Sequence, residues 1–455
     1  MRWLILLTVT SGALTTLSLA EACAQVDYKA GVAKAIITPE PGLWLAGYAG
    51  RNKPAEGKAN DLYAKVLALE DSQGTRLVLV TLDVIGLPRE LSEEMYQDIR
   101  HKTHLPRAAV VFACSHTHCS PVIYGNLSDM YPLPPDQPEK LKKYREFLRQ
   151  TVVRLVSDAL ADLKPAHLSY GEGMARFAIN RRQHTERGVI IGQNPQGPVD
   201  HSVPVLRVAS PDGKLRAIAF GYACHNTTLD FYQYCGDYAG FAQDYLEEKY
   251  PGAVALFWTG CGGDANPHPR RSLELAQKHG RELADAVAAT LSQNLTPLRG
   301  HFRAAYSTIS LPLDKLPSIE ELQAQALSKT YAEQARAKRL LKQLETQGKL
   351  DDHYPHYPVQ VWRLGDDLRW IMLGGEVLVD YALRFKKDYG PQRTWVMGYA
   401  NDVMAYIPSV RVLKEGGYEA DSSMIYYGFP AKWSPLIEDL IVREVHALMK
   451  QLDKD

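Results

Sequence analysis

Several common features are missing from this 455-residue chain. It has no Cys-x-x-Cys pair, which argues against a cysteine-rich zinc site. Its 52 basic and 52 acidic residues form no long block of one sign, which excludes nucleic-acid binding driven by phosphate neutralisation. Beyond the N-terminal segment, no stretch reaches the ~18 uninterrupted apolar residues of a membrane span. Phenylalanine is scarce (10 residues) and tyrosine abundant (25), which indicates polar pockets inside packed regions.

The N-terminus has the pattern of a Sec-type signal peptide. Arg2 supplies a positive start, residues 4–19 are mostly apolar, and residues 22–24 (Ala-Cys-Ala) offer a small-x-small cleavage pattern. We therefore expect residues 1–24 to be removed and the mature protein to be periplasmic or secreted. Lipid attachment at Cys23 is an alternative, but the residue three positions before it is alanine, where leucine is usual.

Short apolar strands alternate with amphipathic helices through most of the chain. This alternation predicts an α/β fold in which mixed β-sheets are flanked by helices. Strands are predicted at residues 64–70, 76–83, 108–114, 203–208, 215–224, 253–258 and 303–310. Helices are predicted at residues 138–163, 239–250, 272–291 and 434–452, the last with Ser434 as N-cap and Pro435 at its first position.

We expect residues 25–455 to form a single domain. Within it, a charged helical segment near residues 317–347 stands apart, and it opens with a capping box between Ser318 and Glu321. Apolar residues are sparse there, which predicts a largely solvated helix or helical pair. A role as a lid or a dimer arm is an alternative.

Five cysteines follow the predicted cleavage site: Cys114, Cys119, Cys224, Cys235 and Cys261. An exported protein can form disulfides, and this odd number allows at most two pairs with one free thiol. The sequence leaves the pairing open, as it does the oligomeric state.

Two histidines follow the apolar strand predicted at residues 108–114. His116 and His118 lie at positions i and i+2, and side chains with this spacing point to the same side of a strand. They can therefore converge on one metal ion or one substrate atom, since imidazole is a common metal ligand and proton shuttle. The alternative is that two polar residues simply lead from a strand into a surface loop.

Polar residues also follow other predicted strands. His225 ends one apolar run, and the Gly-rich turn at residues 259–267 ends another. Glu376 follows a third run, and residues 398–406 and 416–419 bring further polar side chains. Polar groups at several strand ends of an α/β protein commonly build one site in the crevice beyond those ends.

Taken together and in this order, these segments resemble the neutral ceramidase family, the zinc-dependent amidases that cleave the fatty acyl group from ceramide. The family's HTHSGP is here HTHCSP (116–121), its WFAxHP is GYACHN (221–226), and its NRS is NRR (180–182). Its GDVSPN turn is GDANPH (263–268), its PGE is GGE (374–376), and its YTxY and RYE segments are VMAY (403–406) and GYE (417–419). The resemblance covers roughly residues 28–430 and implies a ceramidase-like catalytic domain.

The resemblance also implies a set of site residues. The family's zinc ligands correspond to His116, His225, Glu376 and Tyr406. Its substrate-polarising and proton-handling groups correspond to His118, Arg181 and Tyr418, and the serine of its turn corresponds to Asn266.

These roles agree with the chemistry of the side chains. N and O ligands that leave one position open on zinc allow it to bind and activate water. Arg181 and Tyr418 can donate hydrogen bonds to a developing oxyanion, and His118 can shuttle a proton to the leaving amine. Tyrosine is an unusual zinc ligand, and the alternative for Tyr406 is a hydrogen-bonded pocket residue. Asp264 beside the turn is expected to support the site from behind.

Two departures from the family concern the substrate. Asn266 replaces a serine, and the chain ends near Leu452, without the immunoglobulin-like domain that follows in ceramidases. We therefore expect a small-molecule N-acyl substrate, with long-chain ceramide a poorer one than a smaller or more polar N-acyl compound; the exact substrate stays open.

The predicted function is that of a secreted Zn²⁺-dependent hydrolase of an amide bond. Alternatives are a zinc hydrolase of an ester or sugar-linked amide, and a non-catalytic protein that binds a ligand in the same cleft. His118, Arg181 and Tyr418 count against the last, because binding alone needs no groups for oxyanion and proton transfer.

Overall fold

The structure, a computed structural model, describes residues 28–454. The predicted signal peptide, with Cys23, lies outside the described residues and stays a prediction. No helix in the described part of the chain is both long and apolar enough to cross a bilayer.

The elements alternate along the chain as the sequence predicts. The strands are β1 (Tyr28–Ile36), β2 (Gly57–Lys58), β3 (Tyr63–Asp71), β4 (Arg76–Leu82), β5 (Val110–Cys114), β6 (Lys164–Met174), β7 (Ala178–Thr185), β8 (Gly188–Asn194), β9 (Ser202–Ala209), β10 (Leu215–Tyr222), β11 (Gln233–Tyr234), β12 (Val254–Thr259), β13 (Ala265–Pro267), β14 (Thr296–Pro297), β15 (Phe302–Pro312), β16 (His353–Leu364), β17 (Leu368–Leu373), β18 (Glu376–Val377), β19 (Thr394–Met397) and β20 (Tyr406–Ile407). The helices are α1 (Arg89–Thr103), α2 (Gln137–Ala161), α3 (Asp237–Lys249), α4 (Leu273–Leu291), α5 (Ile319–Gln325), α6 (Tyr331–Gln347), α7 (Val379–Tyr389), α8 (Val410–Glu415), α9 (Met424–Tyr427) and α10 (Ile437–Leu452).

The largest sheet has the strand order β12-β10-β9-β6-β1-β3-β4-β5, and β14 pairs with β6. Its outermost pairs, β10 with β12 and β4 with β5, are parallel. Parallel neighbours need a crossover connection, which α3 and α1 supply. These strands are buried along most of their length, which explains their nearly unbroken apolar sequences.

The two ends of this sheet meet where the strands finish. The hydroxyl of Thr259, at the end of β12, donates a hydrogen bond of 2.9 Å to the carbonyl of Cys114, at the end of β5. A second sheet, β15-β16-β17-β19, joins at the same place through bridges from Gly260 to Met397 and from Ala113 to Ala400. The loops after β5, β12 and β19 are therefore neighbours. Three smaller ladders, β2-β11, β18-β20 and β13-β7-β8, complete the sheets of the described residues.

The predicted strands and helices are confirmed, with shifted ends. Residues 107–109 form a 3₁₀ turn, so β5 begins at Val110. Ser434 was expected to cap the last helix, and that is wrong. Its hydroxyl accepts the N–H of Leu436 at 3.4 Å and its carbonyl accepts the N–H of Ile437 at 3.2 Å. These bonds close a separate turn, and α10 begins only at Ile437.

The charged segment near residues 317–347 forms two helices, α5 and α6, and the capping box between Ser318 and Glu321 is present. Arg336 donates to the carbonyl of Phe429 at 3.2 Å, and Nε of Arg339 donates to Asp129 at 2.9 Å. These contacts hold the helical pair against the segment that follows α9 and against the loop between β5 and α2.

All five cysteines of the described chain are free and buried, so neither of the two possible disulfides forms. Burial raises the pKa of the Cys114 thiol to about 12. A thiol with so high a pKa carries little thiolate and is a poor nucleophile.

Gly263 allows the turn after β12 to approach β18 closely. A Cβ atom at this position would lie 2.6 Å from the carbonyl oxygen of Glu376 and 3.0 Å from that of Val377. We therefore expect Gly263→Ala to lower the free energy of unfolding by about 1–3 kcal/mol, the usual cost of overpacking. Chemical denaturation of the two proteins measures the difference.

Gly57→Ala is the matched control, because a Cβ atom there meets nothing within 4 Å. We expect the free energy of unfolding of that variant to lie within about 0.5 kcal/mol of that of the original chain. Equal stability of the Gly263 variant would show that the turn can shift without cost.

Candidate metal centre

The loop after β5 brings His116 and His118 together. The backbone of His116 has a left-handed φ of 60°, and its N–H donates to the carbonyl of Val84 at 3.0 Å. The N–H of His118 donates to Asn226 at 3.3 Å. The two Nε2 atoms lie 3.2 Å apart. The predicted convergence is present, but its predicted cause is wrong: β5 ends at Cys114, so the loop, and not strand alternation, aims the rings.

Three more predicted ligands reach the same point from other loops. The parallel register of β18 and β20 places Glu376 opposite Tyr406. Oε2 of Glu376 lies 2.9 Å from Nε2 of His225 and 3.2 Å from Nε2 of His116. The Tyr406 hydroxyl lies 3.2 Å from Nε2 of His225. All four side chains are buried. The structure thus brings the four predicted metal ligands together.

Backbone carbonyls fix the orientation of both rings. Nδ1 of His116 lies 2.6 Å from the carbonyl oxygen of Ile85, and Nδ1 of His225 lies 2.7 Å from that of Gly262. A carbonyl only accepts, so each Nδ1 carries the proton and each neutral ring turns its Nε2 lone pair towards Glu376. Three acceptors that face one another repel unless a cation lies among them.

The donor spacing also suits a metal ion. Ligands of a tetrahedral zinc ion at about 2.0–2.1 Å are separated by about 3.3 Å. The measured separations among the four side chains, 2.9–3.2 Å, are close to that value. The imidazole nitrogens of His116, His118 and His225 also lie within 4.8 Å of one another, so this buried histidine group can hold a metal ion.

His225 and Glu376 have the protonation states that metal binding requires, whereas burial raises the pKa of Tyr406 well above its usual range. Burial and the nearby Arg181 lower the pKa of His225 to about 4. Burial, His116 and His225 hold the pKa of His118 well below its usual range. Burial raises the pKa of Glu376, but attraction to and hydrogen bonds from His116 and His225 hold it well below its usual range, an effect that requires positive charge beside the carboxylate. Neutral imidazole and ionised carboxylate are the forms that coordinate metals.

A second group of predicted residues lies beside the donors. On β7, Arg181 donates to the Tyr406 hydroxyl at 3.0 Å and to Oδ1 of Asn266 at 3.4 Å. The Tyr418 ring packs on the Tyr406 ring, with centroids 5.5 Å apart. Arg181 is buried, and its Nε donates to Glu419 at 2.7 Å. All eight predicted site residues therefore belong to one cluster.

Asp264 lies behind this cluster. Its carboxylate accepts the N–H of Val379 and the amide of Asn180, each at 3.0 Å, and its carbonyl accepts the N–H of Arg181 at 2.8 Å. Burial raises the pKa of Asp264 to about 6. Asp264 therefore joins β7 and α7, and it positions the backbone that carries Arg181.

The sequence profile of the neutral/alkaline non-lysosomal ceramidase family, N-terminal part, matches residues 28–294, more than half of the chain. The chain belongs to this ceramidase family. Membership implies an amidohydrolase, as the sequence motifs predicted. No protein of curated function matches the sequence significantly.

Solved structures agree on the fold. Neutral ceramidase from Pseudomonas aeruginosa superposes with a TM-score of 0.71 at 19% identity, over 94% of this chain and 75% of that chain. A ceramidase complexed with C2 gives 0.70 at 17% identity, over 94% and 76%. The predicted fold, mixed sheets flanked by helices in a ceramidase-like domain, is confirmed.

The ceramidase-family site also contains side chains that sequence reasoning missed. Tyr427 donates a short hydrogen bond to Oε1 of Glu376, and the Tyr399 ring lies 4.5 Å from the His116 ring. Gly47 has a φ of 90°, and a Cβ atom there would lie 2.2 Å from Nδ1 of His118. Tyr399 and Tyr427 stand near recognised motifs, but no residue spacing marks them because they arrive from separate loops.

Glu419 is the other missed residue, although it is part of the GYE segment. Its two oxygens accept from Arg181 at 2.7 Å and from Arg182 at 2.6 Å. Burial would raise its pKa, but the two arginines lower it. The carboxylate therefore compensates two buried cations and fixes the position of Arg181.

A surface cavity of about 430 Å³ adjoins the ceramidase-family site. Its lining includes four tyrosines, two arginines and one aspartate, with few aliphatic side chains. Tyr48 lines it, and its ring lies 4.8 Å from the ring of His118. Tyr418, which packs on Tyr406, also lines it. The cavity therefore reaches Tyr418 directly and lies one aromatic ring away from His118.

The geometry predicts different results for two histidine variants. Nε2 of His225 faces both Glu376 and Tyr406, whereas Nε2 of His118 faces only His116. We expect His225→Ala to lose bound metal, with affinity reduced by about 10²-fold or more, and His118→Ala to retain it. Elemental analysis of both purified proteins measures this.

His353→Ala is the control, since His353 is an exposed histidine outside the cluster. We expect it to keep the metal content of the original chain. Equal metal loss in the His118 and His225 variants would make His118 a ligand and contradict the assignment.

Proposed function

We propose that this chain is a zinc-dependent hydrolase that cleaves a linear N-acyl amide bond. The observation that carries the proposal is the group of donor atoms 2.9–3.2 Å apart, with Arg181 directly beside it. Membership of the ceramidase family supports the same reaction class. The proposal includes export of the protein, because residues 1–24 have the pattern of a signal peptide.

Four side chains would hold the ion: His116, His225, Glu376 and Tyr406. When bound there, zinc makes water acidic enough to act as a nucleophile near neutral pH and polarises the amide carbonyl. The bonds from the two Nδ1 atoms to backbone carbonyls keep both imidazoles oriented and increase their basicity. Burial raises the pKa of Tyr406, and Arg181, 3.0 Å from its hydroxyl, opposes that effect.

The remaining residues act on the substrate. Arg181 and Tyr418 can donate to the oxygen on which negative charge develops, in a buried place where such bonds are strong. Nδ1 of His118 is buried and has no hydrogen-bond partner among the described side chains and backbone, and we assign proton transfer to the leaving amine to this imidazole. Oδ1 of Asn266 accepts from Arg181 and Thr227, and it steadies the arginine. Such a set of proton-handling groups favours catalysis over binding alone.

The experiment that tests the function is a hydrolysis screen of the purified protein against N-acyl lipids, N-acyl amino acids and N-acyl sugars. We expect release of free amine from at least one class, loss of that release with a chelator, and its return with zinc. The His225→Ala protein is the inactive control. A protein that contains metal and releases no amine from any class would contradict the proposal and favour a binding role.

The cavity lining also bears on the acyl chain. Among its residues, Met130 and Ile191 are the larger aliphatic side chains, and the others are mostly tyrosine, glycine and charged residues. Each buried methylene contributes only ~0.8 kcal/mol, and such a lining can bury few of them. A long acyl chain would therefore add little binding energy to support turnover.

We predict that kcat/KM, measured across an acyl-length series on one head group, rises by up to about 4-fold per methylene and then levels off at short to medium chains. Long-chain ceramide is expected to be a poor substrate. A value that climbs steadily, with ceramide the best substrate, would contradict this prediction and indicate a full lipid pocket.

A further inference from the structure

The cavity beside the metal centre has a cationic part that the reaction does not use. Arg271 lines it, and its guanidinium lies 5.5 Å from the centre of the Tyr48 ring. One of its nitrogens pairs with Asp230 at 2.8 Å, and both side chains are about half exposed, at 42% and 52%. Screened pairs of this kind are weak, so a carboxylate of a ligand can compete with Asp230 for the Arg271 guanidinium.

The backbone of Arg271 is strained. Its φ is 91°, a region that residues with a side chain rarely adopt, and its N–H donates to the carbonyl of Thr228 at 2.7 Å. Such conformations cost free energy and cluster at active sites and ligand clamps. Arg271 thus combines this backbone conformation with a place in the cavity lining.

Arg270, the residue before Arg271, adds a second cation close in the chain to this cavity. Within residues 28–454, its guanidinium has no ion-pair or hydrogen-bond partner. It is half-buried, and burial and the neighbouring Arg271 lower its pKa. A partly buried charge without a counterion is unfavourable, and an anionic ligand would compensate it.

The other arginines around the cavity already have partners. Arg181 pairs with Glu419 at 2.7 Å. Arg51 is buried, and its terminal nitrogens donate to the carbonyls of Phe231 and His118, each at 2.8 Å. The uncompensated positive charge is therefore at Arg270, beside the fork of Arg271.

The position of this charge indicates which half of the substrate meets it. Tyr48 contacts both His118 and Arg271. The centre of its ring lies 4.8 Å from the centre of the His118 ring and 5.5 Å from the Arg271 guanidinium. His118 is the group that serves the leaving amine. One aromatic ring therefore separates the amine side of the scissile bond from the arginines.

We propose that the amine half of the substrate carries a carboxylate bound by Arg271, with Arg270 adding positive charge beside it in the chain, so that the substrate is an N-acyl amino acid. This inference rests on the proposed function. Hydrolysis then adds water across the amide C–N bond and gives a fatty acid and a free amino acid. The planar fork of arginine matches a carboxylate with two parallel hydrogen bonds.

The test uses two substrates that differ only in charge, N-hexanoylglycine and N-hexanoylglycinamide. The holoenzyme is expected to prefer the carboxylate by roughly 10-fold or more in kcat/KM, the effect of a charge-assisted hydrogen bond. Arg271→Asn is the informative variant, because asparagine tolerates a positive φ and removes the charge without added strain. That variant is expected to lose most of the preference, chiefly through a higher KM.

Arg281→Gln is the matched control. Arg281 is an exposed arginine that packs on Tyr245, outside the cavity, and its loss should leave the preference unchanged. Equal use of the two substrates by the holoenzyme would overturn the inference and leave the proposed function standing. So would an unchanged preference in the Arg271 variant.

Calorimetric binding of N-hexanoylglycine separates the two proposals if neither substrate is hydrolysed. Binding by the original chain that is weakened about 10-fold or more in Arg271→Asn would support the carboxylate site, while the hydrolase would be contradicted. Binding that the variant leaves unchanged, or no binding at all, would overturn the carboxylate site.

Discussion

The repulsion among three buried acceptors governs this site. Backbone carbonyls of Ile85 and Gly262 take the Nδ1 protons of His116 and His225, so both Nε2 lone pairs face the carboxylate of Glu376. Nothing in this arrangement is favourable without a positive charge at its centre. The surrounding sheets hold the three groups in place, and their stability offsets this repulsion.

A second group of buried charges lies beside the proposed metal ligands. Glu419 accepts from Arg181 and Arg182, and all three are buried. The carboxylate allows two arginines to lie in the protein interior, where an unpaired cation would be costly. Because Glu419 holds Arg181 by its Nε, the terminal nitrogens remain for Tyr406 and Asn266. The same group thus stabilises the fold and orients a proposed catalytic side chain.

The topology explains how distant segments meet. Parallel pairs β4-β5, β10-β12 and β17-β19 end at one place, because the edges of the large sheet meet there and the second sheet bridges to them. Loops from the ends of parallel strands face the same crevice. The helical pair α5-α6 braces the chain just beyond α9, and Tyr427 at the end of α9 reaches Glu376. A site at this crevice is therefore built on rigid elements from most of the chain.

The sequence by itself determined the fold class, the family and the eight clustered site residues, because these depend on periodicity and on short motifs in a fixed order. It did not determine what surrounds them. Tyr399, Tyr427 and Gly47 carry no motif role, and the left-handed backbone of His116 is invisible in a pattern that reads as a strand end. The unpaired charge of Arg270 and the free cysteines were likewise decided by tertiary structure alone. Local patterns record what a segment prefers, whereas partners, burial and compensation of charge depend on residues that only the folded chain brings within a few ångströms.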